Sequence, residues 1–393
     1  MVQISRNVAV LKEENKANYK VPFGTISLTS KALGLIAVAL SRKWLTKGAL
    51  VREFEEKYAK LFGVKYAVAL SSGTDADAIA CAVLYDFGAK RGDEIIIPAL
   101  TFVATANAIM QAGFTPIFVD VEKDTLNIDP KKIERKITAR TVAIMPVHLV
   151  GKPCKMDEIM RIAKKHKLYV IEDAAEAHGG QYKRKKLGTI GRMGCFSLYA
   201  SHIITSIEGG MIITNNKKMA DVARSLRNHG VEGKFKFKRI GFSSKMNELE
   251  AAVGLGNLEI YREILRKRWQ NLHYLMDSFK KFDDYFWYLK EDKGEVLGPF
   301  SFWMIVKPLS GFTKKQFVDY LESVGIDTRD LFYSIPSQTE GYFKDRADKW
   351  GFDNSEFISD WGLQIGCHQD LTLNDMKYVV EMVEKWLASY SRR

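Results

Sequence analysis

Cysteine is scarce and scattered: Cys81, Cys154, Cys195 and Cys367 form no CxxC pair and no metal-ligand spacing, which excludes a disulfide framework, a zinc ribbon and a close-set thiolate cluster. A reducing cytoplasm is the expected compartment. No apolar run is long enough to span a bilayer, because the longest near the start, Ala32–Leu40, lies between Lys31 and Arg42 and falls short of the ~20 residues required. The opening stretch MVQISRNVAVLKEENK meets charge before any apolar core of leader length, so no export signal is expected. A basic arm or tail is also missing. Lys plus Arg outnumber Asp plus Glu by 59 to 47, a formal +12, yet the charge is spread evenly; it favours anionic partners without pointing to nucleic acid. Repeats and low-complexity tracts are absent, and 46% hydrophobic with 27% charged residues is globular composition, not disordered or fibrous.

What is present is alternation. From about residue 50 to 260, short β-branched runs alternate with helical stretches, the pattern of an α/β domain with a largely parallel sheet. The first helix is expected over Leu50–Phe62, with Phe54, Tyr58 and Leu61 on one face, and Tyr66–Leu70 as a buried strand. Strands follow at Glu94–Pro98, Pro116–Asp120, Thr141–Pro146 and Leu168–Glu172, with helices at Thr101–Ala112 and Asp157–His166. Gly194–Asn215 reads as strands around a tight turn at Glu208-Gly209-Gly210. Beyond about 260 come the rest of a charged helix to Phe279, a β-like stretch at Val296–Val306, and helices at Lys314–Val324 and Leu373–Tyr390. The expected division is a large α/β domain over 1–260 and a small α+β domain over 261–393.

Function is sought in the turns at the strand ends, where ligands of such sheets sit. Ser71-Ser72-Gly73-Thr74-Asp75 joins a strand to a helix N-terminus, where free N–H groups and the helix dipole face an anion. Phe102 lies in the next strand-to-helix turn, and a later strand ends in Asp173. Singly these signals are weak. In this order they are the parts needed to hold pyridoxal phosphate: a turn for the phosphate, an aromatic for the ring, a carboxylate to keep the ring nitrogen protonated.

Ordered motifs then carry a resemblance. Trp44-Leu45-Thr46-Lys47-Gly48, Ser72-Gly73-Thr74-Asp75-Ala76, Pro98 through Asn107, Ile171-Glu172-Asp173-Ala174-Ala175, Glu208-Gly209-Gly210, Arg227-Asn228-His229-Gly230 and Asn247 through Gly254 together resemble the DegT/DnrJ/EryC1/StrS family of nucleotide-sugar aminotransferases and dehydratases. The resemblance spans nearly the whole chain. It implies the fold-type-I (aspartate aminotransferase-like) architecture of pyridoxal-phosphate enzymes, with a mostly parallel central sheet flanked by helices, and a homodimer with active sites at the subunit interface. Residue by residue, it implies that Gly73, Thr74 and Ser197 hold the phosphate, that Phe102 stacks on the ring and that Asp173 pairs with the ring nitrogen.

Position 202 separates branches of the family. Its aminotransferases read Ser-Phe-x-Pro-x-Lys before a Gly-Glu-Gly-Gly turn, and that lysine binds the cofactor covalently; this chain reads Ser197-Leu198-Tyr199-Ala200-Ser201-His202, and no lysine lies between Lys186 and Lys217. Histidine cannot make that bond, but it can move protons. The pattern resembles the family's 3-dehydratases of NDP-4-keto-6-deoxyhexoses, and Glu176, where aminotransferases commonly carry Gln, fits the same branch as a cofactor-binding residue. The resemblance therefore implies pyridoxal or pyridoxamine phosphate held non-covalently, glutamate as amino donor, His202 as base and loss of the C3 hydroxyl, in deoxysugar or surface-polysaccharide synthesis. The dedicated cysteine group of the iron-sulfur subgroup is absent.

Two departures stand out. Ile203 replaces a second histidine common in the branch, and Ser243 replaces the asparagine by which a neighbouring subunit holds the phosphate. Arg329 matches a substrate-side position, or else pairs with a local acid. Two alternatives stay open: a sugar aminotransferase with a lysine-free cycle, and a non-catalytic nucleotide-sugar-binding regulatory homologue.

Overall fold

The computed structural model describes residues 19–337 and 351–390; the N-terminal stretch read for an export signal lies outside the described residues. Seven strands form the large sheet: β1 (Tyr66–Leu70), β2 (Glu94–Pro98), β3 (Thr115–Val119), β4 (Thr141–Ile144), β5 (Tyr169–Asp173), β6 (Met193–Ser197) and β7 (Gly210–Thr214). Their order is β1-β7-β6-β5-β4-β2-β3. Only β7 runs against its neighbours, so the sheet is mostly parallel, as expected.

The strands are apolar on both faces because both faces are covered. In β1, Val68 and Leu70 enter one core with helices α3 (Gly73–Val83), α4 (Val103–Gln111) and α6 (Lys217–Leu226), while Ala67 and Ala69 enter the other. That other core holds α2 (Ala49–Phe62) and the first half of α7 (Glu248–Phe279). Helix α5 (Met156–His166) packs with Ile96 and Ile144 in a smaller cluster.

Two expectations are corrected here. The first helix is not Leu50–Phe62: Ala32–Leu40 forms α1 (Ser30–Arg42), which packs along α7. Gly256 permits that approach, since a Cβ there would stand 2.8 Å from the Cβ of Ala32. Nor is Gly194–Asn215 a tight hairpin. Ser197 pairs directly with Gly210, so residues 198–209 bulge out as a loop, and that loop carries His202.

Distant motifs meet in space. Glu248, at the start of α7, accepts the N–H groups of Gly48, Leu50 and Val51 at 2.9–3.0 Å and so caps α2. The smaller sheet, β8 (Phe286–Tyr288), β9 (Ser301–Val306), β10 (Thr328–Asp330) and β11 (Gly362–Gly366), is antiparallel in the order β8-β9-β11-β10. It shares a core with the far half of α7, with α8 (Lys314–Ser323) and with α10 (Leu373–Tyr390), while α9 (Asp353–Trp361) lies against it. Among the described residues no helix is long and apolar enough to cross a membrane.

Candidate active site

Loops at the carboxyl ends of the parallel strands, closed over by Phe300, Phe332, Arg329, Asp330 and Gln364 from around the smaller sheet, enclose a cavity of about 530 Å³. Gly73, Thr74, Phe102, Asp173, Glu176, Ser197, His202 and Arg329 all line it. Ser243 does not. Its backbone bridges Asn228, and it lies away from its own chain's cavity.

The turn after β1 is built as an anion cradle. Ser72 caps α3 by accepting the Asp75 N–H at 3.0 Å, and the Asp75 carboxylate takes the hydroxyls of Ser71, Ser72 and Ser244 at 2.7–2.8 Å. Gly73 lets the end of β6 come against this turn, since a Cβ there would stand 2.8 Å from that of Ser197. The first-turn N–H groups of α3 have no intrahelical acceptor and carry the positive end of its dipole. Gly73, Thr74 and Ser197 thus converge on one spot suited to a phosphate.

Asp173 closes the floor of the cavity. Thr105 donates to its Oδ2 at 2.8 Å and the Ala175 N–H to its Oδ1 at 3.1 Å. Burial raises its pKa, and those two donors with His148 oppose the rise. Phe102, directly before α4, is 58% exposed and presents its ring to the cavity, 5.9 Å from Phe332. A flat heteroaromatic ring lying over Phe102, its nitrogen toward Asp173 and its phosphate in the turn, fits this arrangement of donors and acceptors.

His202 stands on the loop between β6 and β7, its ring 5.2 Å from that of Phe300 and 6.3 Å from Tyr199. Its Nδ1 is buried with no partner. Burial first, and then the Arg268 charge, push its pKa down to about 3, with a backbone contact from Ala175 opposing. The imidazole is therefore neutral near physiological pH. Arg268 acts twice, because its Nη1 also donates to the carbonyls of Pro299 and Phe300 and so fixes the ring against which His202 lies. Among the described residues, no lysine lines the cavity.

Glu176 accepts the Val150 N–H at 2.7 Å. Burial, aided by the charge of Asp173 and opposed by that N–H, raises its pKa from 4.5 to about 8. The unfolded chain gives up this proton first, so the fold loses stability as pH rises from 4.5 toward about 8. Glu176→Gln is expected to raise the melting temperature relative to the parent progressively across that interval and to leave the difference constant below it. Melting curves at both ends check this; a difference independent of pH would show that the carboxyl titrates normally. Arg329 pairs with Asp327 through both terminal nitrogens and also lines the cavity.

The motifs and this geometry agree with comparison to known proteins. Residues 27–384 match the model of the DegT/DnrJ/EryC1/StrS aminotransferase family. The chain belongs to this family. Among DegT/DnrJ/EryC1/StrS relatives, the GDP-perosamine synthase of Caulobacter vibrioides is 35% identical over 88% of this chain and 92% of its own length. The GDP-4-keto-6-deoxy-D-mannose 3-dehydratase of Escherichia coli O55:H7 is 32% identical over 89% of this chain and 95% of its own. A structure of the E. coli dehydratase with bound hydrated pyridoxal phosphate superimposes with a TM-score of 0.85 at 30% identity, covering 93% of this chain and 99% of that one. The fold is the type-I architecture of pyridoxal-phosphate enzymes that the motifs implied.

Several residues of this family member's cavity escaped the motif reading. Thr105 lay within a quoted motif, and its spacing from Thr101 would have placed both on one helical face; the two hydroxyls lie 3.1 Å apart. Phe300 and Phe332 carry no local signal, because they reach the site only through packing of the smaller sheet, and Arg268 on α7 acts from behind the cavity wall through the Pro299 and Phe300 carbonyls. Asp77 likewise gave no signal.

Proposed function

We propose that this chain is a pyridoxal/pyridoxamine phosphate-dependent 3-dehydratase of a nucleotide-linked 4-keto-6-deoxyhexose, working as a homodimer with glutamate as amino donor in deoxysugar or surface-polysaccharide synthesis. The observation that carries this reading is the pairing of a cavity that no lysine lines among the described residues with a neutral, partnerless histidine nitrogen at the position where the family's aminotransferases bear lysine. Likeness to the E. coli dehydratase, in sequence and in fold, supports it.

In this proposal Gly73, Thr74 and Ser197 hold the phosphate, and Ser243 of a neighbouring subunit adds to it. Phe102 supports the ring, Asp173 faces its nitrogen, Glu176 binds beside it, and Arg329 meets the substrate. The bound cofactor supplies a conjugated ring that accepts electron density from its C4′ carbon. His202 holds and moves the proton at C4′, and departure of the C3 hydroxyl as water then needs a proton that its imidazolium can return. The higher identity to GDP-perosamine synthase favours a second reading, an aminotransferase.

One experiment separates them. The purified protein is given pyridoxal phosphate and glutamate, its absorbance is followed before and after borohydride, and the product from GDP-4-keto-6-deoxymannose is weighed. The expected result is a 3-deoxy sugar with no cofactor reduced onto the protein. An amino sugar, or cofactor trapped on a lysine, would return the chain to the aminotransferases, and failure to bind cofactor would favour a regulatory role.

A further inference from the structure

Asp77 is a buried acid for which nothing above has a use. It lies one turn into α3, is 4% exposed, lines the same cavity as Asp173, and has an Oδ1 with no hydrogen-bond partner. A carboxylate so placed is costly, and natural chains keep such groups where a ligand completes them. Among the described residues no cation acts on it. Cys195 of β6, whose thiol meets the Asp77 carboxyl, is the ladder partner of Asp173 on β5, so the two acids are one strand pairing apart. Cys81 follows on the next turn of α3, and His148 acts on the pair only through Asp173.

We propose that Asp77 and Asp173 form a carboxyl pair that holds one proton at the ring-nitrogen end of the cavity and gives it to the cofactor's ring nitrogen as the ring seats, making Asp77 a cofactor-binding residue. Desolvation first, and the neighbouring charge of Asp173 second, raise the Asp77 pKa well above its ordinary value, which favours one shared proton over two ionised carboxylates. The step balances. The carboxyl O–H bond breaks as the ring N–H bond forms; a neutral acid becomes a carboxylate, a neutral ring becomes a cation, and the total charge is unchanged. The resulting cation then lies against two carboxylates, which it stabilises.

This inference rests on the cofactor part of the proposed function and not on the dehydratase reaction, so its test measures binding alone. Pyridoxamine phosphate is titrated into the parent chain, Asp77→Asn and Asp77→Leu by calorimetry in buffers of different ionisation enthalpy, with circular dichroism confirming the fold of each. At alkaline pH, where the free ring nitrogen is unprotonated, the parent is expected to take up about one proton fewer per site than either variant. Its affinity should accordingly be almost flat with pH, whereas that of the variants falls by about tenfold per pH unit. A ring-labelled ¹⁵N cofactor should show a protonated nitrogen in the bound parent throughout. Equal proton counts and parallel affinity curves in all three proteins would overturn the proposal while leaving the cofactor reading intact. Failure of the parent to bind pyridoxamine phosphate would overturn both.

Discussion

Replacing His202 by asparagine is expected to lower turnover by about 10²–10⁴-fold, the range a positioned general base contributes, while leaving pyridoxamine phosphate affinity within a few-fold. The His202 ring lies against Phe300 and Tyr199, with the Ala175 backbone and the Arg268 charge beside it, groups outside the phosphate cradle that asparagine leaves in place. What is lost is a neutral nitrogen that can take a proton. Its pKa of about 3 in the free chain lies far below the ordinary histidine value of about 6.5, so kcat/KM is expected to show no acid limb from this group near that ordinary value. His202→Lys tests the complementary point, since a primary amine placed there should capture pyridoxal phosphate and be reduced onto it by borohydride. Activity of the asparagine variant within tenfold of the parent would assign proton movement to another group, with Glu176 the first candidate.

Much of this site was legible because its signals are local. A strand that ends in a small-residue turn, or in a carboxylate, declares itself within a few residues, and Gly73, Thr74 and Asp173 fall at such ends, whereas Ser197 came only from the family resemblance. His202 was legible only as a substitution inside a motif. The loop that carries it read as a tight turn because apolar residues flank it on both sides: Ile203 and Ile204 are buried, not strand-forming. Helix α1 was missed for the opposite reason. Its Leu33, Val38 and Leu40 are exposed, so no amphipathic stripe announces the element; its seat is made by a glycine more than two hundred residues away, at Gly256. Phe300 and Arg268 belong to the same class. Their place beside His202 follows from how the smaller sheet packs on α7, which no spacing along the chain encodes.

The same dependence on distant partners leads to the largest expected loss of stability. Arg227 and Glu55 form an ion pair at 2.6 Å with side chains only 3% and 10% exposed. Glu55 also accepts the Ala69 N–H at 2.9 Å, and Arg227 donates to the Ala69 carbonyl, so the pair ties α2 and the end of α6 to β1 just ahead of the phosphate turn. Arg227→Met leaves the Glu55 charge buried and uncompensated, a loss of about 3–5 kcal/mol. Urea denaturation followed by circular dichroism should show it, along with weaker pyridoxamine phosphate binding as β1 loosens. Adding Glu55→Gln should restore most of the stability: the amide oxygen still accepts from Ala69, and no charge remains to be buried. A loss below about 1 kcal/mol in the single variant would be the behaviour of an exposed pair, and would mean that water reaches Glu55 once the guanidinium is gone. Failure of the double variant to recover would place the stabilisation in the bond from Arg227 to the Ala69 carbonyl rather than in the charge pair.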